Sequence, residues 1–210
     1  SNPIYQGEDS LEVLKKEARG EFYPKDLLIY SLEDYRLKLM ENQHYQKLHK
    51  LYFGASGQQT DILILRDPYN LLASRLKNKQ IGLKTRTYYK SFAEVWTEYA
   101  KEYLGETNHL KNNKVLINYN RWAESREYRE QLAEKLEIPF TDAGFNEVTN
   151  YGGGSSFDGA GNKANLDIIS RWKAYRNDFL FLKVVADKNL RHYANKIFPE
   201  LEHVEKELKL

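Results

Sequence analysis

The sequence predicts an α/β fold: a three-layer sandwich with a parallel sheet flanked by helices. Three observations predict it. Short apolar runs at Ile62 to Leu65 and Val115 to Asn118 alternate with long segments of helical character. The first run has four apolar residues in succession, the pattern of a strand covered on both faces. It passes straight into Arg66-Asp67-Pro68 and then a helix, with Pro68 in a first turn where its missing N–H costs nothing.

The elements follow in order along the chain. Ser10 to Ala18 reads as a short helix with Ser10 at its N-cap, ended near Gly20. Asp26 to Ser31 reads as a strand after the Tyr23-Pro24 break. Tyr35 to Phe53 has helical composition but a weak apolar stripe, and Gly54 to Gly57 closes it. After the Ile62 to Leu65 strand comes a helix from Pro68 to about Lys79. Ser91 to Leu104 is the clearest amphipathic helix, with Phe92, Val95, Trp96, Tyr99 and Tyr103 at three- and four-residue spacing. The Val115 to Asn118 strand ends at Tyr119. Glu124 to Leu136 is helical and stops at Glu137-Ile138-Pro139. A Gly-rich loop spans Thr149 to Lys163, one or two long helices run from Ile168 to about Asn195, and a charged tail begins at Glu200.

At 210 residues the chain suits a single domain over 1–210, with 41% hydrophobic and 30% charged residues as in ordinary globular proteins. A formal net charge of +2 supplies no broad field for nucleic acid, so no nucleic-acid partner is expected and any basic site is local. With no cysteine there is no disulfide or thiolate metal site. The histidines lack ligand-like spacing, and no metal is expected. No apolar run approaches the roughly 20 residues of a membrane span, and no signal peptide is visible. A cytoplasmic location is therefore expected. The oligomeric state is open.

Open α/β sheets bind ligands beyond the carboxyl ends of their strands. Arg66 stands at such an end, and its planar fork of donors suits a phosphate. Ser74 follows eight residues later, about two helical turns on. The alternative is that Arg66 and Asp67 are only a capping or ion-pair device. The stretch from Asp61 to Arg75 resembles the 3′-phosphate-binding motif of sulfotransferases that use 3′-phosphoadenosine 5′-phosphosulfate (PAPS). In that family an Arg at a strand end, commonly in Arg-Asp-Pro, precedes a Ser by eight residues. The resemblance implies a P-loop NTPase-like sulfotransferase fold, PAPS as cosubstrate, and Arg66 and Ser74 as phosphate ligands.

Four further stretches extend the resemblance. Lys114 to Asn120 is similar to the family strand that ends in Tyr-Glu, which gives Tyr119 a place in the adenine pocket, with Asn120 where Glu is common. Leu136-Glu137-Ile138-Pro139 takes the place of the family's Leu-Gly-Ile-like turn. The Gly152 to Gly161 loop resembles the adenine-side loop, in which Ser155 and Phe157 are the hydroxyl and aromatic pair and Ser156 adds a second hydroxyl. Its three successive glycines leave the backbone free to approach an anion, although a plain surface loop has the same composition. The family's later Arg-Lys-Gly motif is not found; Lys163 and Arg171 are the candidates to replace it. The Arg171-Trp172-Lys173 to Phe198-Pro199 stretch is similar to the terminal helices.

The family's phosphosulfate-binding loop, approximately Pro-Lys-Ser-Gly-Thr-Thr-Trp, has no match. Gly54 to Thr60 lacks its lysine and precedes a strand instead of following one. The N-terminal strand and loop are therefore expected to be missing. For the general base, Glu33 is the first choice and Asp34 the second; either equally suits a helix N-terminus, where the dipole favours acids. The expected function is sulfuryl transfer to a hydroxyl or amine of a carbohydrate or small-molecule acceptor. The alternative is a truncated or non-catalytic relative that binds a nucleotide or a partner.

Overall fold

Ile62–Leu65 forms β1 and Val115–Asn118 forms β2, paired in parallel with Ile62 opposite Val115 and Leu65 opposite Asn118. The computed structural model describes residues 29, 31–32, 35–41, 57–77, 86–148, 161–162 and 168–210. Its architecture is mixed α/β, mostly helical, with this small two-stranded parallel sheet packed against helices. The chain divides into two units, one of residues 1–60 and 109–113, the other of 61–108 and 114–210. In the first, Leu37–Glu41 is a 3-10 turn with Leu37 buried, and Asn113 Nδ2 donates to Thr60 Oγ1 at 3.2 Å.

β1 runs into α1 (Pro68–Lys77), as its sequence predicts. Asp67 is the N-cap: its Oδ1 accepts from Asn70 N at 2.8 Å, and its carbonyl accepts from Leu71 N at 3.1 Å. The expectation that β1 is covered on both faces needs correction. Leu63 and Leu65 are buried, but Ile62 is 44% and Ile64 57% exposed. Strand side chains alternate, and helices cover one face of the strand.

α2 (Arg86–Tyr103) begins five residues before the expected Ser91, because nothing from Arg86 to Lys90 breaks a helix. Phe92, Trp96 and Ala100 are buried at four-residue spacing, against β1, α5 (Phe179–Val185) and α6 (Lys188–Ile197). The expected helix from Glu124 to Leu136 is present as Arg126–Lys135, and a short helix not expected from the sequence precedes it. α3 (Tyr119–Glu124) starts directly at the end of β2, with Asn118 as its cap, and α4 (Arg126–Lys135) follows a break at Ser125. Ser125 is extended (φ −113°, ψ 115°) and its hydroxyl accepts from Tyr128 N at 3.1 Å, so it ends one helix by capping the next. β3 (Glu147–Val148) and β4 (Gly161–Asn162) pair antiparallel. The Gly-rich loop between them lies outside the described residues.

The C-terminal part is also more divided than its composition suggests. A 3-10 turn (Arg171–Tyr175), α5, α6, a second 3-10 turn (Pro199–Leu201) and α7 (Glu202–Leu208) replace the expected one or two long helices and charged tail. Aspartates make the breaks. Asp178 Oδ1 accepts from Phe181 N at 2.8 Å, and Asp187 Oδ1 accepts from Asn189 N and Leu190 N at 3.0 Å. The tail folds back because Leu201, Val204 and Leu208 share one face, which joins the core of Tyr69, Leu72, Trp172 and Phe181. Asp178→Ala is expected to lower stability by about 1 kcal/mol, read as a reduced urea midpoint at unchanged slope. Asp178→Asn should retain most of it.

The Asp26 to Ser31 strand and the Tyr35 to Phe53 helix lie largely outside the described residues, and the Ser10 to Ala18 helix entirely so. Ile29 and Ser31 carry no regular structure. No helix among the described residues is long and apolar enough to cross a membrane.

Candidate functional site: a two-arginine anion site at the sheet edge

The parallel register creates the site. Leu65 pairs with Asn118, so Arg66 and Tyr119 each follow the last residue of adjacent strands and leave the same sheet edge together. The Arg66 guanidinium lies over the Tyr119 ring, 5.1 Å from its centroid. Arg66 Nη1 donates to Ser74 Oγ at 3.3 Å, across the first two turns of α1. Its Nη2 donates to the Ile168 carbonyl at 2.6 Å. Its Nε is buried and has no hydrogen-bond partner. Behind it, Trp96 Nε1 donates to the Arg66 carbonyl at 2.9 Å and ties the strand end to α2.

Arg171 arrives from 97 residues further along the chain and donates from Nη1 to the same Ser74 Oγ at 2.9 Å. Two guanidinium groups thus share one hydroxyl. Both acceptor positions of Ser74 are used, which leaves its O–H free to donate. The two cations repel: burial lowers the Arg66 pKa most, and Arg171 lowers it further, while Asp67 and Tyr119 act in the opposite direction. The guanidinium stays charged across the physiological range.

Asp67 and Asn70 fasten the segment that carries Arg171. Asn70 Nδ2 donates to both Asp67 carboxylate oxygens at 3.1 Å and to the Ile169 carbonyl at 2.9 Å, and its Oδ1 accepts from Trp172 N at 3.3 Å. Arg66 and Asp67 therefore have separate tasks: Asp67 caps α1 and anchors Asn70, while Arg66 faces Ser74 and Tyr119. Asp67 is fully buried, and burial pushes its carboxyl up against the opposing pull of Arg66 and Asn70. Asn120 stands beside it, its Oδ1 accepting from Asp67 N at 3.5 Å. A glutamate at 120 would place a second carboxylate next to a buried one, so the neutral amide has a physical reason here.

Of the residues singled out from sequence, Arg66, Ser74 and Tyr119 come together, with Arg171 joining them. Glu33, Asp34, Ser155, Ser156, Phe157 and Lys163 lie outside the described residues. Sequence reasoning missed Asn70 and the packing around Trp122. Asn70 carried a readable signal, since the third helical position after an Asp-Pro cap is where a side chain can turn back to the cap.

No known family, no curated protein and no solved structure matches the chain.

Proposed function

We propose that the chain binds 3′-phosphoadenosine 5′-phosphosulfate through its 3′-phosphate and belongs with the sulfotransferases. Arg66 and Ser74, eight residues apart, sharing one hydroxyl contact with Arg171 above the Tyr119 ring, is the observation that carries this reading. A terminal phosphate suits two arginines and a hydroxyl donor because it offers three oxygens and about two negative charges at neutral pH. Tyr119, between Arg66 and Trp122, would line the adenosine side of that phosphate. The proposal extends to architecture: a three-layer, P-loop-like sandwich of which β1, β2 and their helices are the described part.

In the reaction, the acceptor oxygen or nitrogen attacks sulfur and the bond from sulfur to the 5′-phosphate oxygen breaks. 3′-Phosphoadenosine 5′-phosphate leaves, and the acceptor proton goes to a carboxylate, for which Glu33 is the choice and Asp34 the second. The acceptor is a carbohydrate or small-molecule hydroxyl or amine. A second reading is a nucleotide- or partner-binding relative without turnover.

Titration with 3′-phosphoadenosine 5′-phosphate against ATP tests the binding proposal. The first is expected to bind at least about 10-fold more tightly, the worth of one charge-assisted contact to the 3′-phosphate. Equal affinity for the two sinks the proposal. Sulfuryl transfer from PAPS to an acceptor panel then separates the enzyme from the non-catalytic relative.

A further inference from the structure

We infer that Trp122 is the stacking platform for the planar ring of the ligand whose phosphate Arg66 holds, and that Arg129 is the residue that positions it. The inference rests on the nucleotide reading above and adds to it a ring-recognition element that no motif in the sequence marks.

A continuous series of π contacts leads away from the anion site. Arg66 lies over Tyr119, and Tyr119 stacks on Trp122 with centroids 5.7 Å apart and planes inclined by 27°. Trp122 then meets Phe145 edge-on at 5.6 Å. Of the three tryptophans in the chain, Trp96 and Trp172 are core residues, 3% and 1% exposed, whereas Trp122 is only half-buried. It stands on α3, a helix of six residues that the Ser125 cap separates from α4.

So short a helix is not held by its own hydrogen bonds. Arg129 on α4 holds it. Its Nη1 donates to the Trp122 carbonyl at 2.8 Å, and its Nε and Nη2 donate to the two Asp142 oxygens at 2.8 and 2.9 Å. The same guanidinium lies 3.8 Å from the Phe145 centroid. One side chain therefore fixes the backbone of Trp122 and the loop that presents Phe145 to its edge. A rigid, half-buried indole in series with a phosphate-shaped site has the construction of a base-stacking surface. The ligand class is a phosphorylated nucleoside, with the anion at Arg66, Ser74 and Arg171 and the base on Trp122.

The test compares two probes, 3′-phosphoadenosine 5′-phosphate and inorganic phosphate, on the full chain. Trp122→Leu is expected to weaken the nucleotide by about 10- to 100-fold and to leave phosphate unchanged, with Trp122→Phe restoring most of the loss. Nucleotide, but not phosphate, is expected to quench the Trp122 fluorescence. Arg129→Gln is expected to make Trp122 more accessible to acrylamide and to weaken the nucleotide alone. Nucleotide binding that depends on Arg66 but is unaltered in Trp122→Leu overturns this inference and leaves the proposed function standing. Wild-type protein that binds neither probe overturns both.

Discussion

Arg66→Ala is expected to weaken 3′-phosphoadenosine 5′-phosphate by at least about 100-fold, measured by calorimetric titration. A hydrogen bond to a charged group is worth about 1.5–3 kcal/mol, and the guanidinium fork supplies more than one to a phosphate. Arg66→Lys is expected to recover little, because an ammonium offers a point charge in place of a planar fork. Arg171→Ala should approach the same loss. The double variant is expected to fall short of the sum, since both arginines act on the one Ser74 hydroxyl. Arg66 also holds the Ile168 carbonyl, so the urea midpoint of each variant must accompany its affinity. Full affinity in a folded Arg66→Ala protein would remove the phosphate site from the account.

Glu205→Ala carries the largest expected cost to stability, about 3 kcal/mol by urea unfolding. Its carboxylate accepts from the Tyr69 hydroxyl at 2.7 Å and from Arg191 Nε and Nη2 at 3.0 and 2.8 Å, and so links α1, α6 and α7. Removing it strands the phenol of Tyr69, which is wholly buried, and leaves Arg191 without its partner. Tyr69→Phe is expected to cost only about 1 kcal/mol, because the carboxylate keeps the arginine.

The same carboxylate gives a pH signature. Burial pushes Glu205 up, but the bonds from Arg191 and Tyr69 outweigh burial and hold it below its ordinary value of 4.5. A depressed folded-state pKa means stabilisation that is complete above the unfolded-state value and is lost as pH falls through the folded one. The difference in urea midpoint between wild type and Glu205→Gln is therefore expected to be constant near neutrality and to shrink below about pH 4.5. A difference that grows on acidification would reverse the assignment. Asp67, raised by burial, contributes with the opposite sign, but it is common to both proteins and cancels.

Much of the local structure was legible because local physics decides it. The apolar run of β1, the Asp-Pro start of α1 and the aromatic spacing of α2 all have causes within a few residues. Helix breaks were less legible. Asp178 and Asp187 divide a segment of helical composition by capping the next helix, and an aspartate within such a segment also suits an ordinary surface position. The charged tail deceived for a related reason: Leu201, Val204 and Leu208 are few among many charges, yet their spacing puts all three on the core.

One half of the proposed anion site was already written in a local stretch of chain. Arg66 and Ser74 belong to a single strand-turn-helix: Arg66 ends the strand, Ser74 stands in the second turn of α1, and the long arginine side chain reaches its hydroxyl. The other half depends on long-range packing. Tyr119 reaches Arg66 through strand register, Arg171 reaches Ser74 through the Asn70 anchor, and Trp122 is set by an arginine on the next helix. These contacts join elements whose separation along the chain carries no periodicity. They follow from burial and hydrogen-bond satisfaction across the whole core, which no local pattern encodes.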